Sequence, residues 1–245
     1  MIKLTVGLPV FNSKNIAWLA MEGLCRQKGI DFGWEIIVVE ESDDNSCGKE
    51  FFDSYFERLK QIGCRRILYI SLPCWVPLSQ KWRLLGQRAD VNSVAFVFQA
   101  ADCYSEPNRL RTTMEAINLG NDWYKANQGL FYWIQKQQHI LFSDKKNIQR
   151  GGLNMGAKTE DVRKLSFEAV RAKVDGWLVK NIDPKRVFIN ETDDWLYGVD
   201  THGFNNISKK RSKFFSDIVF PFVETDLKIQ LFLPDDIVER LKSMK

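Results

Sequence analysis

With 245 residues, 44% of them apolar and 13% aromatic, the chain can bury a substantial core as one large domain or two small ones. Its 35 Lys and Arg against 31 Asp and Glu leave a net charge of +4, compatible with phosphate-bearing ligands but too weak to require a nucleic-acid partner. No apolar run reaches the roughly 20 residues of a membrane helix, and the scattered Cys25, Cys47, Cys64, Cys74 and Cys103, with no CxxC pair, indicate neither a disulfide framework nor a zinc site. The opening MIKLTVGLPV enters a strand pattern directly, without the cleavage region of a signal peptide, so a soluble, cytoplasmic protein with reduced thiols is expected.

Taken in chain order, the first half alternates β-branched runs with segments of helical period, the pattern of an α/β sandwich on a mostly parallel sheet. Lys3 to Val10 reads as a strand, and Ile16, Leu19, Ala20 and Leu24 then recur on one helical face. Glu35 to Val39 is a second strand that opens into the acidic loop Glu40 to Ser46. A helix carrying Phe51, Tyr55, Leu59 and Ile62 follows, then the strand Arg66 to Ile70. A helix over Ser79 to Ala89 precedes the strand Ser93 to Phe98, which ends at Ala100, Ala101 and Asp102, and another helix begins near Glu106 and Pro107.

After Leu119 the alternation stops. Trp123 to Phe142 reads as two aromatic-rich strands, Gln149 to Gly156 as a glycine-rich turn, Thr159 to Ala172 as a helix and Arg186 to Asn190 as a short strand. Ser208 to Phe222 is basic and then aromatic. The chain closes with an expected strand, Lys228 to Leu233, and a helix capped by Asp235. No internal repeat or low-complexity linker interrupts this order, so a single domain is expected.

In an open α/β sheet, ligands collect at the carboxyl ends of the strands. Three such ends are polar here: Pro9, Phe11 and Asn12 after the first strand, Glu40 to Asp44 after the second, and Asp102 after the fourth. A parallel sheet brings these distant loops to one edge.

In order and spacing these segments resemble glycosyltransferase family 2, the inverting group with the GT-A fold. GLPVFNS (Gly7 to Ser13) looks like its opening strand and turn, and WEIIVVEESDDNS (Trp34 to Ser46) like its nucleotide-binding acidic loop. AFVFQAADCYSEPNRL (Ala95 to Leu110) is similar to its metal-binding DxD strand and helix. GGLNMGAKTEDVRKL (Gly151 to Leu165) and VDGWL (Val174 to Leu178) look like its acceptor-side loop and the ED segment that supplies the base. The resemblance covers roughly Ile2 to Asn181. It departs at Ala100, where the family has the first Asp of DxD, and at Val174, where it has Glu. It implies a GT-A central sheet flanked by helices, with a nucleotide-sugar half over residues 1–120, an acceptor half over 121–207 and a basic and aromatic C-terminal extension over 208–245.

The resemblance further implies transfer of a sugar from a nucleotide-diphosphate donor, a UDP-sugar, to a hydroxyl of a glycan or other acceptor. The leaving diphosphate develops negative charge, which a divalent cation stabilises; Mn²⁺ or Mg²⁺ prefers oxygen, so Asp102 is the expected protein ligand. His202, in DTHGFNN, is the second metal candidate, with an ordinary surface or core histidine as the alternative. Asp175 is the candidate general base for the acceptor hydroxyl, and a helix N-cap is its alternative role. Pro9, Phe11, Asn12, Glu40, Asp43, Asp44 and Ala101 are the expected donor contacts, although the acidic loop also reads as a solvated turn. Arg83 and Arg88 are placed to reach phosphate from the helix before the DxD strand, or simply to face solvent. Trp123, Tyr124, Tyr132 and Trp133 read as a stacking platform or as core.

SKKRSK (Ser208 to Lys213) and the apolar run after it are a solvated face, or a contact through 208–223 to a membrane surface or to DNA. Two further readings stand beside transfer to a glycan. One is a catalytically weakened homologue that binds a sugar nucleotide or glycan, which the halved DxD and ED motifs allow. The other is a viral-type enzyme acting on modified DNA bases.

Overall fold

In the computed structural model the described residues are 1–126, 128–133, 138–143, 153–171, 173–190, 199–202, 223–224 and 233–244. The chain begins with β1 (Ile2–Val10), α1 (Ala17–Cys25), β2 (Gly33–Glu41), two short helices α2 (Lys49–Asp53) and α3 (Phe56–Lys60), and β3 (Cys64–Leu72). Then come α4 (Leu78–Arg88), β4 (Ala95–Phe98), β5 (Cys103–Tyr104) and α5 (Arg109–Asn118). β6 (Trp123–Ala126), β7 (Gln128–Trp133), β8 (Gln138–Ser143) and β9 (Leu153–Lys158) follow, with α6 (Thr159–Arg163) and α7 (Val174–Ile182) after them. The last described elements are β10 (Val187–Asn190), β11 (Val199–His202), β12 (Val223–Glu224) and α8 (Asp235–Ser243).

A seven-stranded sheet runs β10-β6-β9-β4-β1-β2-β3. β1 pairs in parallel with both β2 and β4, and β2 with β3, whereas β9 lies antiparallel between β4 and β6. All nine residues of β2 are buried, and the central run Ile36 to Val39 is apolar on both sides because helices cover both faces. Leu4, Val6, Leu8, Trp34, Ile36 and Val38 point towards α1, α2, α3 and α5, where they meet Met21, Leu24, Phe52, Leu110 and Met114. The alternate residues Ile37 and Val39 join Phe96 and Phe98 in a second core with Trp82, Leu85, Val162, Trp177 and Leu178 from α4, α6 and α7. The mixed α/β architecture expected from the alternating pattern is therefore present.

A second sheet runs β12-β8-β7-β11-β5 and carries the chain that follows Asp102. Under it, Ile237, Val238 and Leu241 of α8 pack with Trp18, Leu19, Tyr104 and Tyr132. Arg26 donates to Asp236 at 2.6 Å, and the Arg240 guanidinium lies 3.9 Å from the Trp18 ring centroid. The last helix thus fastens β5 to α1.

Several expected elements differ. The aromatic stretch forms three strands: β6 joins the large sheet, and β7 and β8 the small one. The segment expected as a glycine-rich turn up to Gly156 is strand from Leu153 onward. There Gly156 serves close packing, since an added Cβ would lie 2.5 Å from Thr113 Cγ2. The helix expected to run to Ala172 ends at Arg163, because the following backbone bonds to α4 instead: Ser79 Oγ donates to Glu168 O at 2.7 Å and accepts from Val170 N at 2.8 Å. The helix around Phe51 to Ile62 breaks in two at Ser54 and Tyr55. Asp235 is the first helical residue of α8 rather than its cap, which is Pro234. Of the segment 208–223 only Val223, in β12, lies within the described residues, and of the strand expected at Lys228 to Leu233 only Leu233 does. Among the described residues no helix is long and apolar enough to cross a membrane.

Candidate active site

Because β1, β2, β3 and β4 are parallel, the loops that leave Val10, Glu41, Leu72 and Phe98 all emerge at one edge of the sheet. The opposite edge is closed by Glu35, fully buried, which accepts from Thr5 Oγ1 at 2.7 Å, Asp90 N at 2.8 Å and Arg66 Nε at 2.6 Å. A hollow between Lys3, Asp31, Phe32, Val94, Arg111 and Glu115 lies at that closed edge, away from the polar loops.

After β1, Pro9 is buried and Phe11 is 44% exposed. Asn12 takes φ of +49°, a left-handed conformation that costs an ordinary residue energy and is found at turns and ligand clamps. Ser13 opens the turn that leads into α1, its carbonyl accepting from Ile16 N and Ala17 N at 2.8 Å each. The β2 end divides its acids. Glu40, 1% exposed, turns inward and accepts from Cys47 N at 2.7 Å, Gly48 N at 3.1 Å and Tyr69 Oη at 2.9 Å. Its carboxylate therefore holds the acidic loop in shape, a different position from the nucleoside contact expected of it. Burial, with Glu40 adding to it, raises both the Cys47 thiol and the Tyr69 phenol above their ordinary pKa. Asp43 and Asp44 remain exposed on that loop, where Asp43 Oδ1 accepts from Asn45 N at 2.8 Å.

The cation that meets these loops is Lys81, which the sequence reading passed over. It is buried, donates to Val10 O at 2.7 Å, pairs with Glu41 and lies 5.4 Å from the Phe11 ring centroid. Desolvation lowers the pKa of its ammonium, against the pull of Glu41. Glu41 also accepts from Val76 N at 3.2 Å, so the pair joins the ends of β1 and β2 to the start of α4. Removing one partner strands the other charge in the interior. Lys81→Met is expected to cost about 3–5 kcal/mol of stability, and Lys81→Met with Glu41→Gln to recover most of it. Urea denaturation of both variants measures this; a double variant no more stable than the single would refute it.

Arg83 and Arg88 separate. The Arg83 guanidinium lies 3.2 Å from the centroid of Phe167, on the flank of α4. Arg88 is the exposed last residue of a helix that returns antiparallel to the strands, about 16 Å from its start. It therefore sits at the closed edge and does not reach the polar loops. Trp75, 46% exposed in the loop before α4, carries the Arg171 guanidinium 4.6 Å from its ring centroid.

After β4 the chain makes the turn that bears Asp102. Ala100 is exposed, Ala101 is buried in the first core, and Asp102 is half-buried, with Cys103 Sγ donating to its Oδ1 at 3.6 Å. β5 pairs antiparallel with β11 in the register Asp200↔Cys103. His202, two residues beyond Asp200, ends that strand and pairs with Trp133 of β7. Beneath the turn lie Gln99, fully buried, and Arg109, 1% exposed.

Asp175 occupies the first turn of α7 and is exposed. The cap position belongs to Lys173, with φ of +57°, so the N-cap alternative for Asp175 does not hold. Val174, Trp177 and Leu178 anchor this helix in the same core as Trp82 and Phe98. Trp123, Tyr124 and Tyr132 are 1%, 0% and 2% exposed, which makes them core and removes them as a stacking platform. The side chain of Trp133 falls outside the described residues. Asn154, near the start of β9, has φ of +50° and buries an Nδ2 that has no partner among the described residues.

No family model matches the chain, and no curated protein does. Solved structures of TarS from S. aureus share its fold. The structure of TarS residues 1–349 in complex with UDP-GlcNAc aligns with a TM-score of 0.64 at 13% identity, over 84% of this chain and 60% of that one. The complex of the same fragment with UDP gives 0.61 at 14%, over 82% and 61%. A longer TarS structure gives 0.62 at 12%, over 82% of this chain and 37% of its own. The chain thus spans between 37% and 61% of these neighbours. What is shared at such identity is the GT-A architecture of a central sheet flanked by helices.

Proposed function

We propose that this chain is a glycosyltransferase that moves a sugar from a UDP-sugar to a hydroxyl acceptor with inversion at the anomeric carbon. The observation that carries the reading is the position of Asp102: it stands on the turn after β4, at the open edge of a sheet shared with proteins solved with UDP-GlcNAc and UDP. In the proposed complex, Phe11, Asn12, Asp43 and Asp44 border the nucleoside, and Pro9 and Ala101 support it from the buried side. Lys81 holds this border together through Val10 O and Glu41.

The donor set at Asp102 fits a divalent cation bound jointly with the substrate. Among the described residues no group of three or more His, Cys, Asp or Glu gathers; Asp102 would supply one hard carboxylate to a cation bound with the donor, and His202 is the second candidate. Mn²⁺ or Mg²⁺ held there would supply Lewis-acid stabilisation of the leaving diphosphate. Asp102 then orients the donor, and Asp175 accepts the proton of the acceptor hydroxyl as that oxygen attacks from the face opposite the diphosphate.

Exposed Ala100, in place of the first acid of DxD, favours one second reading, a protein that binds the sugar nucleotide without transferring it. Incubation with UDP-GlcNAc separates the two. Release of UDP that chelation suppresses and Mn²⁺ restores is the expected result; UDP binding with no release from any of a panel of UDP-sugars would establish the binding protein instead.

A further inference from the structure

The turn that carries Asp102 is held from below by two fully buried polar side chains. Gln99 Nε2 donates to Ala100 O at 2.8 Å and to Cys103 O at 2.7 Å, the carbonyls on either side of the Ala101–Asp102 pair. Gln99 Oε1 accepts from Arg109 Nη1 at 2.6 Å and from the hydroxyl of Ser105. Arg109 also donates to Ser105 Oγ at 2.9 Å, Phe98 O at 2.6 Å and Met155 O at 3.3 Å. One guanidinium therefore ties the end of β4, the Asp102 turn and β9 together.

The chemistry of the two groups makes this arrangement directional. An amide has a donating end and an accepting end, whereas a guanidinium only donates. Arg109 thus compels Gln99 to face it with oxygen, which turns the amide NH₂ towards Ala100 O and Cys103 O. Among the described residues Arg109 forms no ion pair with a carboxylate. Burial pushes its pKa down to about 10, which leaves it charged at neutral pH. A buried charge without a directly bonded counter-charge is a poor device for stability, because an apolar residue of similar volume commonly serves as well or better. Its presence here needs another explanation.

We infer that Arg109 and Gln99 are positioning residues of the donor site: the guanidinium sets the orientation of the amide, and the amide sets the turn that presents Asp102. The inference rests on the nucleotide-sugar reading above. A displacement of about 1 Å at a reacting group can lower a rate by as much as ~10²-fold, so loosening this clamp acts on turnover.

Three variants test it. Gln99→Glu keeps the acceptor that faces Arg109 and gains an ion pair with it, but it loses both donations to the turn. A lower thermal midpoint is expected, since an oxygen then faces the carbonyls of Ala100 and Cys103, together with kcat per folded molecule lower by ~10- to 100-fold and KM for UDP-GlcNAc changing less. Arg109→Met should lower kcat by a similar factor. Arg109→Lys should fall between, since one ammonium can reach Gln99 Oε1 but cannot span Phe98, Ser105 and Met155 together. Wild-type kcat per folded molecule in Gln99→Glu or Arg109→Met would overturn the proposal, even if the variants melt earlier, because the network would then be scaffold alone.

A second measurement needs no substrate. By NMR, the side-chain NH₂ protons of Gln99 should exchange slowly with solvent in the wild type and quickly in Arg109→Met; unchanged protection would refute the orienting role. If wild-type protein neither binds UDP nor releases it from UDP-GlcNAc, while this protection still depends on Arg109, the nucleotide-sugar reading falls and the clamp stands.

Discussion

Asp175→Asn is expected to lower sugar transfer by ~10²- to 10⁴-fold, the range that a positioned general base contributes, with UDP affinity and thermal midpoint close to wild type. A hydroxyl is a poor nucleophile until its proton is accepted, and the carboxamide has no proton affinity to offer. Stability should change little, because the helix is anchored by Val174, Trp177 and Leu178, which the substitution does not touch. Lys173, not Asp175, is the cap, and the favourable position of a carboxylate in the first helical turn is worth only about 0.3–1 kcal/mol. The signature is therefore a fall in kcat with donor KM nearly unchanged. Near-normal turnover of the purified variant would remove Asp175 as the base. A lower midpoint with full activity in the folded fraction would assign it a structural role.

Asp102→Asn is expected to lower turnover by about 10³-fold and to make what remains insensitive to Mn²⁺ and to chelator, since in the proposed site the variant loses the charge that would hold the cation against the diphosphate. The fold should survive. Asn has nearly the same volume, its carbonyl can still accept from Cys103 Sγ, and the turn is held by Gln99 and Arg109 rather than by Asp102. Measuring UDP release from UDP-GlcNAc over a Mn²⁺ titration decides it. An unchanged Mn²⁺ response in the variant would locate the cation elsewhere.

Much of the framework was legible because it depends on local pattern. The runs behind β1 to β4 are apolar on both sides of the chain, as strands covered on both faces must be. Their polar endings therefore mark one edge of a parallel sheet. Arg88 faces solvent, one of the two roles expected of it, because a crossover helix returns to the closed edge and its last residue ends far from the strand tips. The helix expected through Ala172 failed for a reason the local sequence did not contain. Ser79 and Gln80, nearly 90 positions earlier, capture the backbone at Phe167 to Val170.

Charged residues show the same division. Glu40 and Glu41 are adjacent acids after a strand and look alike in sequence, yet one closes its own loop and the other pairs with Lys81. Arg109, the first residue of α5, carries no signal in the sequence yet lies buried beneath the Asp102 turn.

By itself the sequence determined the alternation of β1 to β4 with the helices between them, the edge at which their polar loops meet, and Asp102 and Asp175 as the acids to question. Periodicity and burial act over a few residues, and a single chain records them. Only the tertiary structure decided which acids face outward, which cations are buried, and that β11, which ends at His202, pairs with β5, the strand that follows Asp102. Those outcomes depend on hydrogen bonds and charge pairs between segments tens of residues apart, and a buried polar group is tolerable only where such a distant partner satisfies it.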